Sequence, residues 1–234
     1  MSSKHLVLVA ALLALSACAK KDGPSCAVSD SLPRPMLEGP TRDEPRRLTA
    51  TGSYVLAVTW SPEYCASRST SPADRLQCGG QAGSFGFVLH GLWPQGKGEE
   101  RPQYCKPARL IPDKILREHL CSTPSVQLMQ HEWEKHGTCM YREPADYFAK
   151  SQPLYRALHY PDMAALRGKK MPAQAFEQAF AAANEGMKAD QLRLSVSDDG
   201  WLKEVWVCLD RKFNRTTCPP QVGGAARTTL VRIR

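Results

Sequence analysis

The sequence predicts an α+β domain in which an antiparallel β-sheet packs against helices and disulfide bonds hold the fold together. An apolar stretch indicates a core strand within 51–60, strands are also indicated within 192–209, and the part between them, 112–188, has apolar residues at helical spacing. Helices concentrated in the middle of a chain, with antiparallel strands around them, are typical of this fold class. The 234 residues, 42% of them hydrophobic, suffice for one ordinary globular domain plus a leader.

The N-terminus has the pattern of an export signal. Lys4 precedes an apolar run at 6–15 that is too short to span a membrane and has the length of a signal-peptide core. The tetrapeptide Leu15-Ser16-Ala17-Cys18 is similar to a bacterial lipoprotein cleavage box, in which Cys18 would become the lipidated first residue. Ordinary signal-peptidase cleavage after Ala19 is the alternative, because small residues also stand at the spacing that it requires.

These features predict the location of the protein. We expect a signal peptide of the lipoprotein type at 1–18 and a place in the periplasm or cell envelope, with the lipid on Cys18 as the only attachment to a membrane. Ala19 follows this cysteine where an aspartate is associated with inner-membrane retention in enteric bacteria, so the resemblance implies an outer-membrane anchor. If the ordinary cleavage site is used, we expect a secreted protein.

Residues 19–50 carry five prolines among charged residues and show little apolar periodicity. Such a composition favours extended, irregular backbone over helix or sheet. We therefore predict a proline-rich tether and N-terminal arm at 19–50, followed by one folded domain at 51–234.

The elements of this domain follow from local patterns along the chain. Pro62 ends the first strand, and Pro144 stands where the first turn of a helix tolerates proline. Asp198-Asp199-Gly200 favours a turn between two strands. The predicted strands are 51–60, 87–89, 192–196, 201–209 and 228–233, and the predicted helices are 112–120, 125–136, one or two within 144–158, and 172–188.

The most informative stretch is His131-Glu132-Trp133-Glu134-Lys135-His136-Gly137-Thr138-Cys139. If this stretch is helical, each residue advances by about 100° around the helix axis. Measured from His131 at 0°, the side chains then lie at roughly 40° for Lys135, 100° for Glu132 and 140° for His136. Two imidazoles, a carboxylate and an ammonium group would therefore share one face, while Trp133 points elsewhere and anchors the helix in the core. This combination predicts an acid/base site that carries its own positive charge.

A second stretch, Phe87-Val88-Leu89-His90-Gly91-Leu92-Trp93-Pro94-Gln95, is an apolar run that reaches a histidine. Gly91 and Pro94 are expected to stop the strand, which would leave His90 near a strand end, where catalytic side chains are often displayed. With both stretches in view, the chain resembles the ribonuclease T2 family, whose motifs HGLWP and HEWxKHGTC match at nearly every position. The resemblance covers roughly residues 50–234.

The resemblance implies a ribonuclease T2-like fold and an endoribonuclease that acts on single-stranded RNA. A 2′-hydroxyl attacks the neighbouring phosphorus if a base takes its proton and an acid protonates the departing 5′-oxygen. By the same resemblance His136 is the general base, His90 is the general acid and His131 holds the phosphate. Lys135 and Glu132 would stabilise the more negative transition state. The reaction would pass through a 2′,3′-cyclic phosphate to 3′-phosphate ends, and DNA would not be cleaved.

No metal and no cofactor are expected in this reaction, because the unperturbed histidine pKa of about 6.5 lets one imidazole be neutral while the other is charged. Trp93 is predicted to be a stacking surface for a base, and a core aromatic residue after a strand is the structural alternative. Gln95 stands where fungal members with adenine preference carry aspartate, so purine selectivity is not implied and we expect low base specificity.

Cysteine usage also favours an exported protein. Eight cysteines follow the leader, and an even number in an exported chain indicates four disulfides, with 105 pairings possible from spacing alone. The resemblance implies two of the pairs, Cys105 with Cys139 and Cys208 with Cys218. The pairing of the other four cysteines stays open. A zinc site is disfavoured, because the sequence contains no CxxC pair.

Two other kinds of function have less support in the sequence. A metal-dependent hydrolase is disfavoured because the HExxH signature places its histidines one turn apart, whereas His131 and His136 are five residues apart. A non-catalytic RNA-binding envelope lipoprotein is disfavoured because both His90 and His136 are present. The net charge of +8 favours a polyanionic partner such as RNA, and we expect the protein to be a monomer.

Overall fold

The computed structural model describes residues 26–80 and 84–234, so the predicted signal peptide and Cys18 lie outside the described residues. In the described part, no helix has the length and apolar character needed to cross a membrane. The strands are β1 (Thr51–Trp60), β2 (Phe87–Gly96), β3 (Lys170–Pro172), β4 (Leu192–Val196), β5 (Leu202–Leu209) and β6 (Leu230–Arg232). The α-helices are α1 (Ser61–Tyr64), α2 (Arg75–Cys78), α3 (Asp113–His119), α4 (Val126–Lys135), α5 (Pro144–Arg156), α6 (Met163–Leu166) and α7 (Ala173–Ala182). Short 3₁₀ helices cover Cys65–Ser67, Gly137–Cys139, Ala189–Gln191 and Pro220–Val222.

The main sheet contains four antiparallel strands in the order β2-β1-β5-β4, and β3 pairs with β6 in a separate ribbon. The prediction of an α+β fold with an antiparallel sheet core is therefore confirmed. Residues 55–58 in the middle of β1 are all buried, since protein covers both faces of the sheet there. This explains why the centre of β1 reads as a continuous apolar run, whereas a half-exposed strand would alternate.

The two faces of the sheet pack against different partners. One face carries Leu56 and Val58 and belongs to the main core, in which Phe176 and Phe180 of α7 are fully buried. Replacing either phenylalanine by alanine should cost about 3–5 kcal/mol, because it would leave a large cavity. The opposite face carries a smaller cluster that consists of Val55, Cys208, Cys218 and Val222 with Trp93 and Trp206 packed against it.

A β-bulge in β2 sets the direction of His90. Ala57 pairs with Gly91 and Val58 pairs with Leu89, so His90 is the extra residue between two successive pairs. Without the bulge, side chains three residues apart would point to opposite faces of the sheet. With it, His90 and Trp93 share the face opposite the main core, and their rings are in edge contact.

The prediction that Gly91 and Pro94 end this strand is wrong, because β2 continues to Gly96. The bulge accommodates Gly91 within the strand. Pro94 is tolerated because β2 is an edge strand of the main sheet, where a residue without a backbone N–H can face away from the neighbouring strand. His90 therefore lies in the middle of β2 and not near its end.

Helix α4 presents the second motif. It is capped at its start by Ser125, whose Oγ accepts a hydrogen bond from the backbone N–H of Leu128 at 3.2 Å. It ends at Lys135, one residue before the predicted end, and His136 is the C-cap residue. Gly137 follows, and a Cβ atom there would lie 2.3 Å from Cε3 of the buried Trp133. The glycine is thus required for the chain to leave the helix close against this indole.

The eight cysteines in the described part of the chain form four disulfides, and two of these are the pairs that the resemblance implies. Cys105–Cys139 connects the loop after β2 to the segment after α4 and closes a separation of 34 residues. Such a cross-link typically contributes about 2–4 kcal/mol to stability. The four pairs are Cys26–Cys121, Cys65–Cys78, Cys105–Cys139 and Cys208–Cys218.

Residues 26–50 form an arm that packs on the outside of the domain. The Cys26–Cys121 disulfide holds its start. Gln127 of α4 binds the backbone of Met36, accepting from its N–H at 2.8 Å and donating to its carbonyl oxygen at 3.0 Å. Nearer to β1, Arg47 forms a backbone β-bridge with Gln103. These contacts place the arm beside α4, the helix that carries the second motif.

Candidate active site

His90 lies between two carboxylates that come from different parts of the fold. Its Nδ1 is 2.5 Å from Oε1 of Glu204 on β5, and its Nε2 is 3.4 Å from Oε1 of Glu132 on α4. The His90 side chain is 27% exposed, whereas Glu132 is 2% exposed. The imidazole can therefore be reached from solvent, while the carboxylate behind it is shielded.

Glu204 is held by two further hydrogen bonds on β1 and β5. Thr59 lies opposite Glu204 in the pairing of these strands, and its Oγ1 donates to Oε1 at 3.2 Å. The indole Nε1 of Trp206 donates to Oε2 at 2.8 Å. Both carboxylate oxygens thus have donors, which fixes the orientation of the group that faces His90.

Glu132 is held in a comparable way by Trp93 of β2. The indole Nε1 of Trp93 donates to Oε2 of Glu132 at 2.8 Å. Gly91 provides the room for this contact, because a Cβ atom at that position would lie 1.7 Å from the same oxygen. The Trp93 ring also meets both imidazoles, since its centroid is 5.0 Å from that of His90 and 5.7 Å from that of His136. The Trp93 ring therefore contacts both histidines, and its Nε1 is hydrogen-bonded to Glu132.

The protonation of His136 is governed by burial. Its Nδ1 is buried and has no hydrogen-bond partner among the residues that the structure describes. Burial lowers the pKa of His136 enough to outweigh the attraction of Glu132, and the positive charges of Lys135, His131 and His90 act in the same direction as burial. The imidazole of His136 is therefore neutral near pH 7 and able to accept a proton.

His90 has the opposite preference. Burial opposes its charged form, but the hydrogen bonds and charges of Glu132 and Glu204 outweigh this and raise the pKa of His90 well above its usual value. Burial would also raise the pKa of both carboxyls, but their surroundings lower it. The charges of nearby histidines and the hydrogen bond with His90 lower the pKa of Glu132, and the hydrogen bond and charge of His90 lower that of Glu204. Near pH 7 the cluster therefore contains one protonated and one neutral imidazole.

His131 and Lys135 are engaged by carboxylates of the arm. Nδ1 of His131 is 2.5 Å from Oε2 of Glu38, and Nζ of Lys135 is 2.6 Å from Oε1 of Glu44. The hydrogen bond from Lys135 lowers the pKa of Glu44. Burial alone would raise the pKa of Glu38, but the hydrogen bonds with His131 and Gln127 and the charge of His131 together outweigh it and lower this pKa. Both partners come from residues that precede the domain predicted at 51–234.

The structure brings His90, Glu132, His136 and Trp93 into direct contact, whereas His131 and Lys135 contact the arm. Neither sequence motif includes Glu204, which is 114 residues away from His90 along the chain. A glutamate inside an apolar strand was the available signal, because a buried carboxylate requires a partner. That signal would have marked Glu204 without identifying His90 as the partner.

The arrangement of the two histidines is suited to proton transfer. Within 26–80 and 84–234, no three His, Cys, Asp or Glu side chains are grouped so that they could hold a metal ion. An acid and a base that both contact one indole can serve two proton transfers on a single substrate. Gln95, the other predicted specificity position, is buried and donates from Nε2 to the carbonyl oxygen of Trp93 at 3.3 Å.

Several known proteins are similar to this chain. The family described as Ribonuclease T2 matches residues 51–218. A probable ribonuclease of Haemophilus influenzae is 33% identical over 178 residues, which cover 70% of this chain and 60% of that protein. A ribonuclease of Aeromonas hydrophila is 36% identical over 176 residues, which cover 72% of this chain and 77% of the relative. Trichomaglin, a solved structure described as a novel S-like ribonuclease, superposes with a TM-score of 0.61 at 24% identity over 79% of this chain and 98% of its own.

Proposed function

Because the chain belongs to the ribonuclease T2 family of endoribonucleases, we propose that it cleaves single-stranded RNA by attack of the 2′-hydroxyl on the adjacent phosphorus. The observation that carries this proposal is geometric. His90 lies between two carboxylates, His136 has a buried Nδ1, and both imidazoles contact the ring of Trp93. These surroundings favour the charged form of His90 and the neutral form of His136. RNA supplies its own nucleophile, so the protein has to supply a base, an acid and stabilisation of negative charge.

In the first step His136 removes the proton from the 2′-hydroxyl while the 2′-oxygen bonds to phosphorus. As the bond from phosphorus to the 5′-oxygen breaks, His90 donates its Nε2 proton to that oxygen. The product is a 2′,3′-cyclic phosphate. In the second step the roles reverse. Water attacks phosphorus as neutral His90 takes its proton, the bond from phosphorus to the 2′-oxygen breaks, and protonated His136 donates its proton to that oxygen. The products are a 3′-phosphate and a free 2′-hydroxyl.

The negative charge of the transition state requires cationic or hydrogen-bonding groups nearby. Lys135 and His131 lie on the helix that also carries Glu132, and we assign them to the phosphate. Glu132 contacts Trp93 and His90 and thereby orients these two side chains. The phosphate would have to compete with two carboxylates of the arm, because Glu38 binds His131 and Glu44 binds Lys135.

The base of the substrate is assigned to the ring of Trp93. Aromatic side chains bind bases by stacking with little regard to their identity. Gln95 is buried and bonded to the Trp93 backbone, so it offers no exposed group that would select a base. Both features support low base specificity.

The protonation of the two histidines predicts the pH dependence of cleavage. Activity is lost at low pH when His136 becomes protonated, and the lowered pKa of His136 moves this loss below the usual histidine value of about 6.5. Activity is lost at high pH when His90 loses its proton, and its raised pKa moves that loss above the same value. A plot of kcat/KM against pH should therefore be bell-shaped with a broad plateau.

The decisive experiment compares three oligonucleotides of one sequence in excess chelator. We expect cleavage of RNA to a 2′,3′-cyclic phosphate, and no cleavage of DNA or of 2′-O-methyl RNA, because neither offers a free 2′-hydroxyl. Cleavage of the methylated strand would mean that water is the nucleophile and would overturn the proposal. Loss of RNA cleavage in chelator, restored by added metal, would instead indicate a metal-dependent hydrolase.

Substitution of the two histidines tests their roles separately. His136→Ala and His90→Ala should each reduce kcat by about 10²–10⁴-fold while the protein stays folded. The matched control is His159→Ala, because His159 is exposed and only its backbone forms hydrogen bonds with Asn184. A reduction in the control similar to that in the two variants would show that the loss reflects general damage to the fold.

A further inference from the structure

The geometry around His90 assigns a role to a residue outside both sequence motifs. The two ring nitrogens of His90 have different partners, because Nδ1 is 2.5 Å from Glu204 and Nε2 is 3.4 Å from Glu132. The shorter contact is on the nitrogen that faces across the sheet towards β5. The longer contact is on the nitrogen that faces the helix α4, where a substrate phosphate would also meet His136.

Hydrogen bonds from the sheet hold both carboxylate oxygens of Glu204 in place. The bulged strand β2 directs His90 across β1, where Thr59 bonds the same oxygen of Glu204 that faces the imidazole. Trp206 bonds the other oxygen, so the carboxylate cannot rotate without losing a hydrogen bond. Supporting hydrogen bonds of this kind select one tautomer and one orientation of a working imidazole.

We propose that Glu204 is the positioning residue of His90 and holds the proton on Nδ1, so that the Nε2 proton is the one delivered to the departing 5′-oxygen. This inference rests on the proposed ribonuclease reaction and adds a residue to it. After the transfer His90 is neutral. Its Nδ1 keeps its proton and still donates it in the hydrogen bond to Glu204, and its Nε2 presents a lone pair to the water of the second step. Glu204 itself touches neither RNA nor the reacting atoms, and no proton leaves it.

Three titratable groups surround His90, and each of them affects how its pKa responds in a pH titration. Glu204 of β5 and Glu132 of α4 both favour the charged form of His90, while His136 beyond the end of α4 is neutral near pH 7. Thr59, Trp93 and Trp206 complete the surroundings and do not titrate in this range. Removing the charge of Glu204 alone therefore leaves Glu132 as the one remaining carboxylate on His90.

The test compares Glu204→Gln with the parent protein by NMR titration of the histidine rings and by kinetics. We expect the pKa of His90 to fall by one unit or more in the variant, since an adjacent opposite charge typically shifts a pKa by about 1–3 units. The alkaline limb of the pH profile should move to lower pH by a similar amount. We also expect kcat to fall about 10–100-fold with KM unchanged, because the RNA contacts remain.

The matched control is Glu177→Gln, which removes a buried carboxylate that pairs with Arg227 at 3.0 Å and belongs to no part of the site. It should lower the melting temperature without moving the pKa of His90 or the alkaline limb. If Glu204→Gln fails to fold, Glu204→Asp replaces it, since it keeps the charge and withdraws the carboxylate by one methylene. The expected result is then a smaller fall in both the pKa of His90 and kcat.

Two results would overturn this role. An unchanged His90 pKa in Glu204→Gln or Glu204→Asp would make Glu204 a purely structural residue, and a raised KM with kcat unchanged would make it a substrate contact. Failure of the proposed ribonuclease reaction is distinguishable from both, because the parent protein would then not cleave RNA. The NMR titration needs no turnover and would still decide whether Glu204 controls the protonation of His90.

Discussion

Replacing Gly91 by alanine should disable the site through a single methyl group. A Cβ atom built on Gly91 lies 1.7 Å from Oε2 of Glu132, 2.5 Å from its Cδ and 2.8 Å from Nε1 of Trp93. A carbon and an oxygen that are not bonded need roughly 3.3 Å between them, so the carboxylate would have to move by about 1.5 Å. The backbone cannot yield easily, because Gly91 is paired with Ala57 beside the bulge.

The displacement would affect stability and catalysis together. It breaks the 2.8 Å hydrogen bond from Trp93 to Glu132 and alters the 3.4 Å contact with His90. Leaving a buried acceptor without its partner costs about 1–3 kcal/mol, which corresponds to a fall in Tm of roughly 2–12 °C for a chain of this size. Misplacing a catalytic group by about 1 Å can reduce the rate about 10²-fold.

The assay measures kcat on an RNA oligonucleotide and Tm by circular dichroism for Gly91→Ala and for Gly98→Ala. Gly98 is the matched control, because a Cβ atom there has no other atom within 4 Å. We expect the control to behave as the parent protein does. A Gly91→Ala variant with parental kcat and Tm would contradict this prediction, since it would show that Glu132 does not have to occupy the observed position.

Three further predictions test the surroundings of the site. Glu44→Gln removes the partner of Lys135 and should lower KM for RNA at low salt with little change in kcat, because the ammonium group becomes free for phosphate; a higher KM would contradict this. Replacing both Cys105 and Cys139 by serine should lower the free energy of unfolding by about 2–4 kcal/mol in denaturant titrations and also reduce activity, and peptide mapping that finds either cysteine free would refute the pairing. Cys18→Ala should shift the protein from the membrane fraction to a soluble or unprocessed form, whereas a parent protein that is soluble and lacks Ala19 would exclude the lipid anchor.

Local patterns predicted the elements that local forces determine. The strand at 51–60 agrees with β1, and the helices at 112–120 and 125–136 agree with α3 and α4 to within one residue at each end. The helix predicted at 172–188 is shorter in the structure, where α7 covers only Ala173–Ala182. The strand that carries His90 continues beyond its predicted end at residue 89 and reaches Gly96. A proline on an edge strand and a glycine beside a bulge both permit a strand to continue.

The fold class and the two motif histidines can be predicted from the amino-acid sequence alone, because helical and strand periodicity are local and each motif is contiguous. The opposite pKa shifts of His90 and His136 depend on tertiary packing, because a pKa responds to burial and to charges from elements that are distant along the chain. Glu204 reaches His90 across two strand pairings, and Glu38 and Glu44 reach α4 from an arm outside the family match. No local pattern encodes these contacts, because each one is formed only when the sheet, the helix and the arm have packed together.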